Sequence, residues 1–251
     1  MRDLGQRLLI GLAAMVAGVM AIGYAFIFGG VAAPSGDFGT LEVPADGETL
    51  ATRLDDGRPV FMTAAGGTAW VLDAREPREP AEVDALLRWC PADEAFIGTG
   101  PTSIFAADGS SLRGPSGMTA YATAPANDDA SRVVVRAETS IRPVAAEPRA
   151  VSYRCGPDDW VAHGAQPDEI FDPSVAADAE PPGWIWLEGT LISIDDGAVL
   201  CDGISPTDGC PAGVVASGID PATLPAGGIA GLFLGTVHDG TIEGLTVAPA
   251  P

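Results

Sequence analysis

The stretch GRPVFMTAAGGTAWVLDAR, residues 57–75, decides how the chain reads. Two short β-type runs, Pro59–Thr63 and Thr68–Leu72, flank the turn at 65–67 (Ala-Gly-Gly), and strand–turn–strand is the signature of a hairpin rather than of a phosphate cradle. Trp70 alternates with Val71 and Leu72 and is expected in the core. The same pattern continues on both sides. Leu41–Val43, Ala95–Ile97, Ser103–Phe105, Met118–Thr123, Arg132–Ala137 and Ala150–Arg154 are short strand-like runs, bounded by turns such as Asp55-Asp56-Gly57 and Ala107-Asp108-Gly109. Short strands with frequent turn signals indicate an all-β sandwich or barrel. One segment departs from this. Glu79–Arg88 places Pro80 in a first turn and Val83, Leu86 and Leu87 on one face, which predicts a helix.

Residues 164–183 are acidic, Pro-rich and without periodicity, and are expected to be an interdomain linker. After them come Trp184–Ile194, Ala198–Cys201, Gly213–Gly218, Ile229–Val237 and Thr241–Val247, the last two joined by the hairpin turn His238-Asp239-Gly240. Five short strands over residues 184–251 suit a small β-barrel of the oligonucleotide-binding (OB-like) shape. Trp184 and Trp186 share one face of a strand and are expected to pack the two domains together or to meet a partner.

Charge narrows the function. The 251 residues carry 34 Asp and Glu against 13 basic residues, all arginine, for a formal charge of −21. No basic stripe exists to neutralise phosphates, so nucleic acid is excluded as a partner, OB-like shape notwithstanding. Such a charge should make carboxylates repel one another and raise their pKa values on folding. With 47% apolar residues, 32 Gly and 22 Pro, the chain is neither disordered nor a helical bundle.

From Leu8 to Ala33 there is no charge, and Leu8–Phe28 at 1.5 Å per residue reaches about 30 Å, enough to cross a hydrocarbon core. Arg2 and Arg7 precede it, which places the N-terminus in the cytoplasm and the bulk of the chain outside. A signal peptide cleaved after Val31-Ala32-Ala33 is the rival reading, but the apolar run exceeds a usual h-region. The expected organisation is a cytoplasmic N-terminus and transmembrane anchor (1–34), a β domain (35–163), the linker (164–183) and the barrel (184–251). In an exported chain the four cysteines should form two disulfides, Cys201–Cys210 around a turn-rich segment and Cys90–Cys155. Zinc is the weaker alternative, because the spacings lack C-x₂₋₄-C knuckles.

The frame elements of residues 41–123 resemble a Rieske [2Fe–2S] domain. GRPVFMTAAGGTAWVLDAR stands where that family carries its strand pair before the first ligand box. Phe96, Ser103, Phe105, Asp108-Gly109 and Gly114-Pro115 fall in register with the second box and the turns beyond it. The resemblance implies a β-sandwich and a place in a quinol–cytochrome c oxidoreductase system. It does not carry over the cluster. A Rieske centre needs two Cys and two His, and the register puts Glu76 and Arg78 at the first Cys and His, Gly98 and Pro101 at the second pair. The bridging disulfide of many members would fall on Ala81 and Gly100. Ser103, which in the family would donate to a cluster sulfur, reads here as a buried turn hydroxyl. Cys90, Cys155, His163, Cys201, Cys210 and His238 lie in separate segments with no spacing that would rebuild a cluster.

Other motifs read as turns. Gly114-Pro115-Ser116-Gly117 lacks the spacing of a nucleophile elbow, and neither Asp195-Asp196-Gly197 nor Asp128-Asp129 sits in a calcium-loop repeat. No catalytic residue is expected. The reading is a mainly β, membrane-anchored, non-redox accessory subunit without cofactor, docked on other subunits of a membrane complex such as a respiratory one. Two alternatives stand beside it, a [2Fe–2S] electron-transfer protein and an envelope module for a small ligand.

Overall fold

The computed structural model describes residues 37–77, 83–100, 102–126, 129–146, 149, 151–166, 169–195, 197–203, 210 and 212–248. The expected anchor and its cleavage site fall outside them. Among the described residues no helix is long and apolar enough to cross a membrane.

The architecture is mainly β. Strands β1 (Asp37–Glu42), β2 (Thr49–Arg53), β3 (Pro59–Ala65), β4 (Thr68–Asp73), β9 (Thr119–Ala126) and β10 (Asp129–Ile141) form a six-stranded antiparallel sheet in the order β1-β10-β9-β4-β3-β2. The hairpin expected at 57–75 is β3–β4, paired from Val60 with Asp73 to Ala65 with Thr68. Its near-continuous apolar run has a simple cause: both faces are covered. Phe61 and Leu72 point into one core, while Val60, Met62 and Val71 point into another with Leu54, Tyr121 and Val135. A small sheet, β11-β6-β7-β8, is built from Val161–Ala162, Arg88–Cys90, Ala95–Ile97 and Ile104–Ala106. It too is buried on both sides, with Trp89, Phe96 and Phe105 in the first core and Cys90, Ala95, Ile97 and Ile104 in a fourth cluster.

The C-terminal strands are β13 (Trp184–Ile194), β14 (Gly197–Cys201), β15 (Gly213–Ala216), β16 (Ile229–His238) and β17 (Thr241–Val247). Pairing passes from β13 to β14, β15, β17, β16 and back to β13, so the strands close on themselves. The β15–β17 contact is parallel and the others are antiparallel. Leu187, Leu191, Leu200, Val214, Phe233, Ile242 and Leu245 fill the interior.

Two expectations need correction. Residues 83–90 are not helical. They run extended as β5 (Asp84–Ala85) and β6, with Leu86 N–H on Val247 O and Leu87 N–H on Ala74 O. Neighbouring Leu86 and Leu87 are both fully buried in the cluster of Phe61 and Leu234, and the backbone pairs with Val247 on one side and Ala74 on the other, which holds the segment extended. The part of the expected helix at 79–82 lies outside the described residues. Nor is 164–183 a featureless linker. It carries β12 (Ile170–Phe171), parallel to β13, and a short helix, α1 (Pro173–Ala179), whose Ala176 is fully buried in the barrel core. Ile170, Phe171 and Ala176 are enough apolar surface to fix a segment that composition alone reads as polar.

The two halves share a seam. β5 pairs with β17, Thr246 against Asp84 and Val247 against Ala85. Trp186 and Leu234 of the barrel are buried in the same cluster as Phe61, Leu86 and Phe96, with Trp184 packed against it. The tryptophan face expected either to pack inward or to meet a partner packs inward here, and residues 37–251 form one compact unit.

Candidate functional site

Glu76 lies three residues past β4, on the extended piece that leads to the seam. Its N–H donates to Ala85 O at 2.7 Å, and its side chain is buried at 3% exposure. Gly98 ends β7. There the chain doubles back tightly: Gly98 N–H reaches Ser103 O at 2.8 Å and Ser103 N–H reaches Gly100 O at 3.1 Å. The structure brings these two loops together through one carboxylate. Glu76 Oε2 accepts from Thr99 N–H and Thr99 Oγ1, each at 3.0 Å. Oε1 accepts from Gly100 N–H at 3.2 Å and from the Ser103 hydroxyl. Hydrogen bonds onto an ionised acceptor are roughly twice as strong as neutral ones, and successive backbone N–H groups make an anion-receiving concavity.

The glycines make room for it. A Cβ at position 98 would stand 2.7 Å from Glu76 Cδ and 2.8 Å from Ser103 Cβ; one at position 100 would stand 2.8 Å from Ser103 Oγ and 3.0 Å from Glu76 Oε1. Any side chain at Gly98, a ligand cysteine included, collides with the carboxylate already there. Arg78 and Pro101, the other two positions singled out by register, lie outside the described residues.

The residues do not fit an iron–sulfur cluster. All four cysteines are consumed, Cys90 with Cys155 and Cys201 with Cys210, at Cα separations of 5.7 and 5.6 Å, so none offers a thiolate. His163 is buried against the Phe61 ring, its Nε2 on Val60 O at 3.1 Å, which requires the N–H on that nitrogen. Burial lowers its pKa to about 4, so it is a neutral core imidazole. His238 is exposed on the far hairpin, where Glu180, His238 and Asp239 bring ligand atoms within 4.8 Å of one another. All three are exposed.

A second carboxylate holds a second loop. Asp93, buried beside Cys90, accepts from Arg154 N–H at 2.9 Å, Arg154 Nε at 2.9 Å and Ser152 N–H at 3.4 Å. Burial raises its pKa, but these donors outweigh burial and leave it below the ordinary carboxylate range. Residues 151–154, the described part of the strand expected at 150–154, are therefore an irregular strap against the small sheet, pinned by Asp93 rather than by a ladder. Arg149 reinforces it from the Asp93 and Glu94 carbonyls. Elsewhere Tyr121 donates to Asp73 at 3.1 Å and accepts from Arg58, while Arg75 grips Asp73 through Nε and Nη2. Burial and the Asp73 charge push the Tyr121 phenol up to about 12.

The expectation that repulsion raises the carboxylates is not met where shifts are resolved. Asp93, Asp108, Asp129 and Glu169 all lie below the ordinary range, because Ser110, Ser131, Gln166 and nearby arginines donate directly to them. Local donors at about 3 Å outweigh a diffuse, solvent-screened field. Sequence reasoning found Glu76 and Gly98 as positions lacking a ligand. It missed that they form a pair, and it missed Asp93, because both need the loop across the sheet. Comparison of the chain with protein-family models, curated proteins and solved structures finds no match.

Proposed function

We propose that this chain is a membrane-anchored, extracytoplasmic, non-redox accessory subunit. In this reading a Rieske-like frame without a cluster, joined to an OB-like barrel, serves as a docking body on a membrane complex. One observation carries the reading. The two segments that the resemblance would make ligand boxes meet at the Glu76 carboxylate, bonded to Thr99, Gly100 and Ser103. A frame kept with its metal-binding positions turned into an internal brace fits reuse of a fold as a surface. The ring order β13-β14-β15-β17-β16, with the parallel contact between its third and fifth strands, supports the OB-like assignment. The absence of any Arg or Lys after Arg154 speaks against the nucleic-acid role of such barrels.

Extraction of the tagged full chain in mild detergent tests the proposal. The expected outcome is recovery in a fixed ratio with integral membrane subunits, from a preparation without acid-labile sulfide. Two irons and two labile sulfides per chain, with a fast-relaxing signal on reduction, would restore the electron-transfer alternative. Recovery as a lone chain under conditions that keep other membrane complexes intact would overturn the docking role.

A further inference from the structure

We propose that the amides and hydroxyls of Thr99, Gly100 and Ser103 form a carboxylate-binding site in their own right, with Glu76 as its tethered ligand. Remove that ligand and the loop should accept a free monocarboxylate of matching length. This stands on hydrogen-bond geometry alone and holds whether or not the frame is Rieske-like. Among the described residues four donors converge on the two oxygens, two backbone N–H groups and two hydroxyls, from Thr99, Gly100 and Ser103. The receiving loop also closes on itself, through the Gly98–Ser103 and Ser103–Gly100 backbone bonds, neither of which uses Glu76. The two glycines leave only the space that a carboxylate fills. Donors preorganised around an ionised acceptor do not depend on how the acceptor is tethered. The ligand class is therefore a small linear carboxylate: acetate replaces what Glu76→Ala removes beyond Cβ, and propionate what Glu76→Gly removes.

The test uses the full chain in detergent solution. Glu76→Ala should lower the melting temperature by on the order of 5 °C. Sodium acetate should restore it saturably, as a ligand binding only the folded state does, while sodium chloride at equal ionic strength should not. Glu76→Gly should prefer propionate to acetate, and the unaltered chain should respond to neither beyond the chloride control. An unchanged melting temperature in Glu76→Ala, or equal responses to acetate and chloride, would overturn the proposal. Should Glu76→Ala fail to fold, refolding in acetate but not chloride supports it. Equal failure in both passes the decision to Glu76→Gln: faster hydrogen exchange confined to the Thr99 and Gly100 amides sustains the site, and unchanged exchange there overturns it.

Discussion

The loop at 98–103 and the strap at 149–155 solve the same problem with different chemistry. The loop joins β7 to β8 and the strap lies against the same small sheet, and each meets a buried carboxylate that accepts two of its amides: Thr99 and Gly100 on Glu76, Ser152 and Arg154 on Asp93. The strap adds the Arg154 guanidinium and a covalent bond, with Cys155 joined to Cys90 three residues before Asp93. The loop adds hydroxyls and two glycines that admit the carboxylate. A buried carboxylate can thus do the work of a ladder wherever no strand is available, provided the chain supplies amides in pairs.

Removing the covalent member of the strap should have the largest effect. Cys90–Cys155 closes 65 residues, which on the chain-entropy model contributes about 4 kcal/mol. In Cys90→Ser/Cys155→Ser the urea midpoint should fall accordingly, yet the Ser152 and Arg154 amides should stay protected from exchange because Asp93 still holds them. Loss of protection there would show that the disulfide alone holds the strap. Opening Cys201–Cys210, which closes 9, should cost less, about 2.6 kcal/mol on the same model.

Acid separates the clasps from the core beneath them. His163 has a folded pKa of about 4 against an ordinary 6.5, so the unfolded chain binds the extra proton between those values. Stability present above pH 6.5 is lost as pH falls towards 4, by about 3 kcal/mol in all. Asp93, held below the ordinary range, stays ionised through most of that window. Urea midpoints across pH 7 to 4 should therefore fall while strap amides keep their relative protection. His163→Gln should flatten the fall. A flat profile in the unaltered chain would mean that the imidazole is not buried as described.

Neutralising one carboxylate at a time comes next. Asp93→Asn leaves two amides and a guanidinium without their acceptor charge and should cost about 2 kcal/mol. Against the Cys90→Ser/Cys155→Ser background the cost should grow, and a double-mutant cycle measures that coupling. The smallest effect is expected at Arg53–Glu169, a 3.0 Å pair 30% and 41% exposed. Glu169→Gln should change stability by under about 1 kcal/mol, and a larger loss would show that β12 depends on it.

The barrel strands were readable from turn-bounded apolar runs and the hairpin turn at 238–240, and both disulfides from four cysteines in a chain expected to be exported. What sequence could not show has one cause: contacts fixed by distant chain. Leu86 beside Leu87 reads as a helical face until β17 and Ala74 are placed on either side. Ile170 and Phe171 are two apolar residues in an acidic run until Trp186 and Leu187 lie beside them. Glu76 and Gly98 each look like a missing ligand. Only the cross-loop geometry shows that the missing side chain of one is the room taken by the other.

The strap's disulfide also decides what happens when the backbone is cut. The chain has no lysine, and Arg154 is its last arginine, so trypsin has no site within residues 155–251. Cleavage after Arg154 leaves Cys155 at the head of that long C-terminal piece, still bonded to Cys90 on β6. The nicked protein would run as an uncut chain until reductant is added, and only then release the barrel half as a single large peptide.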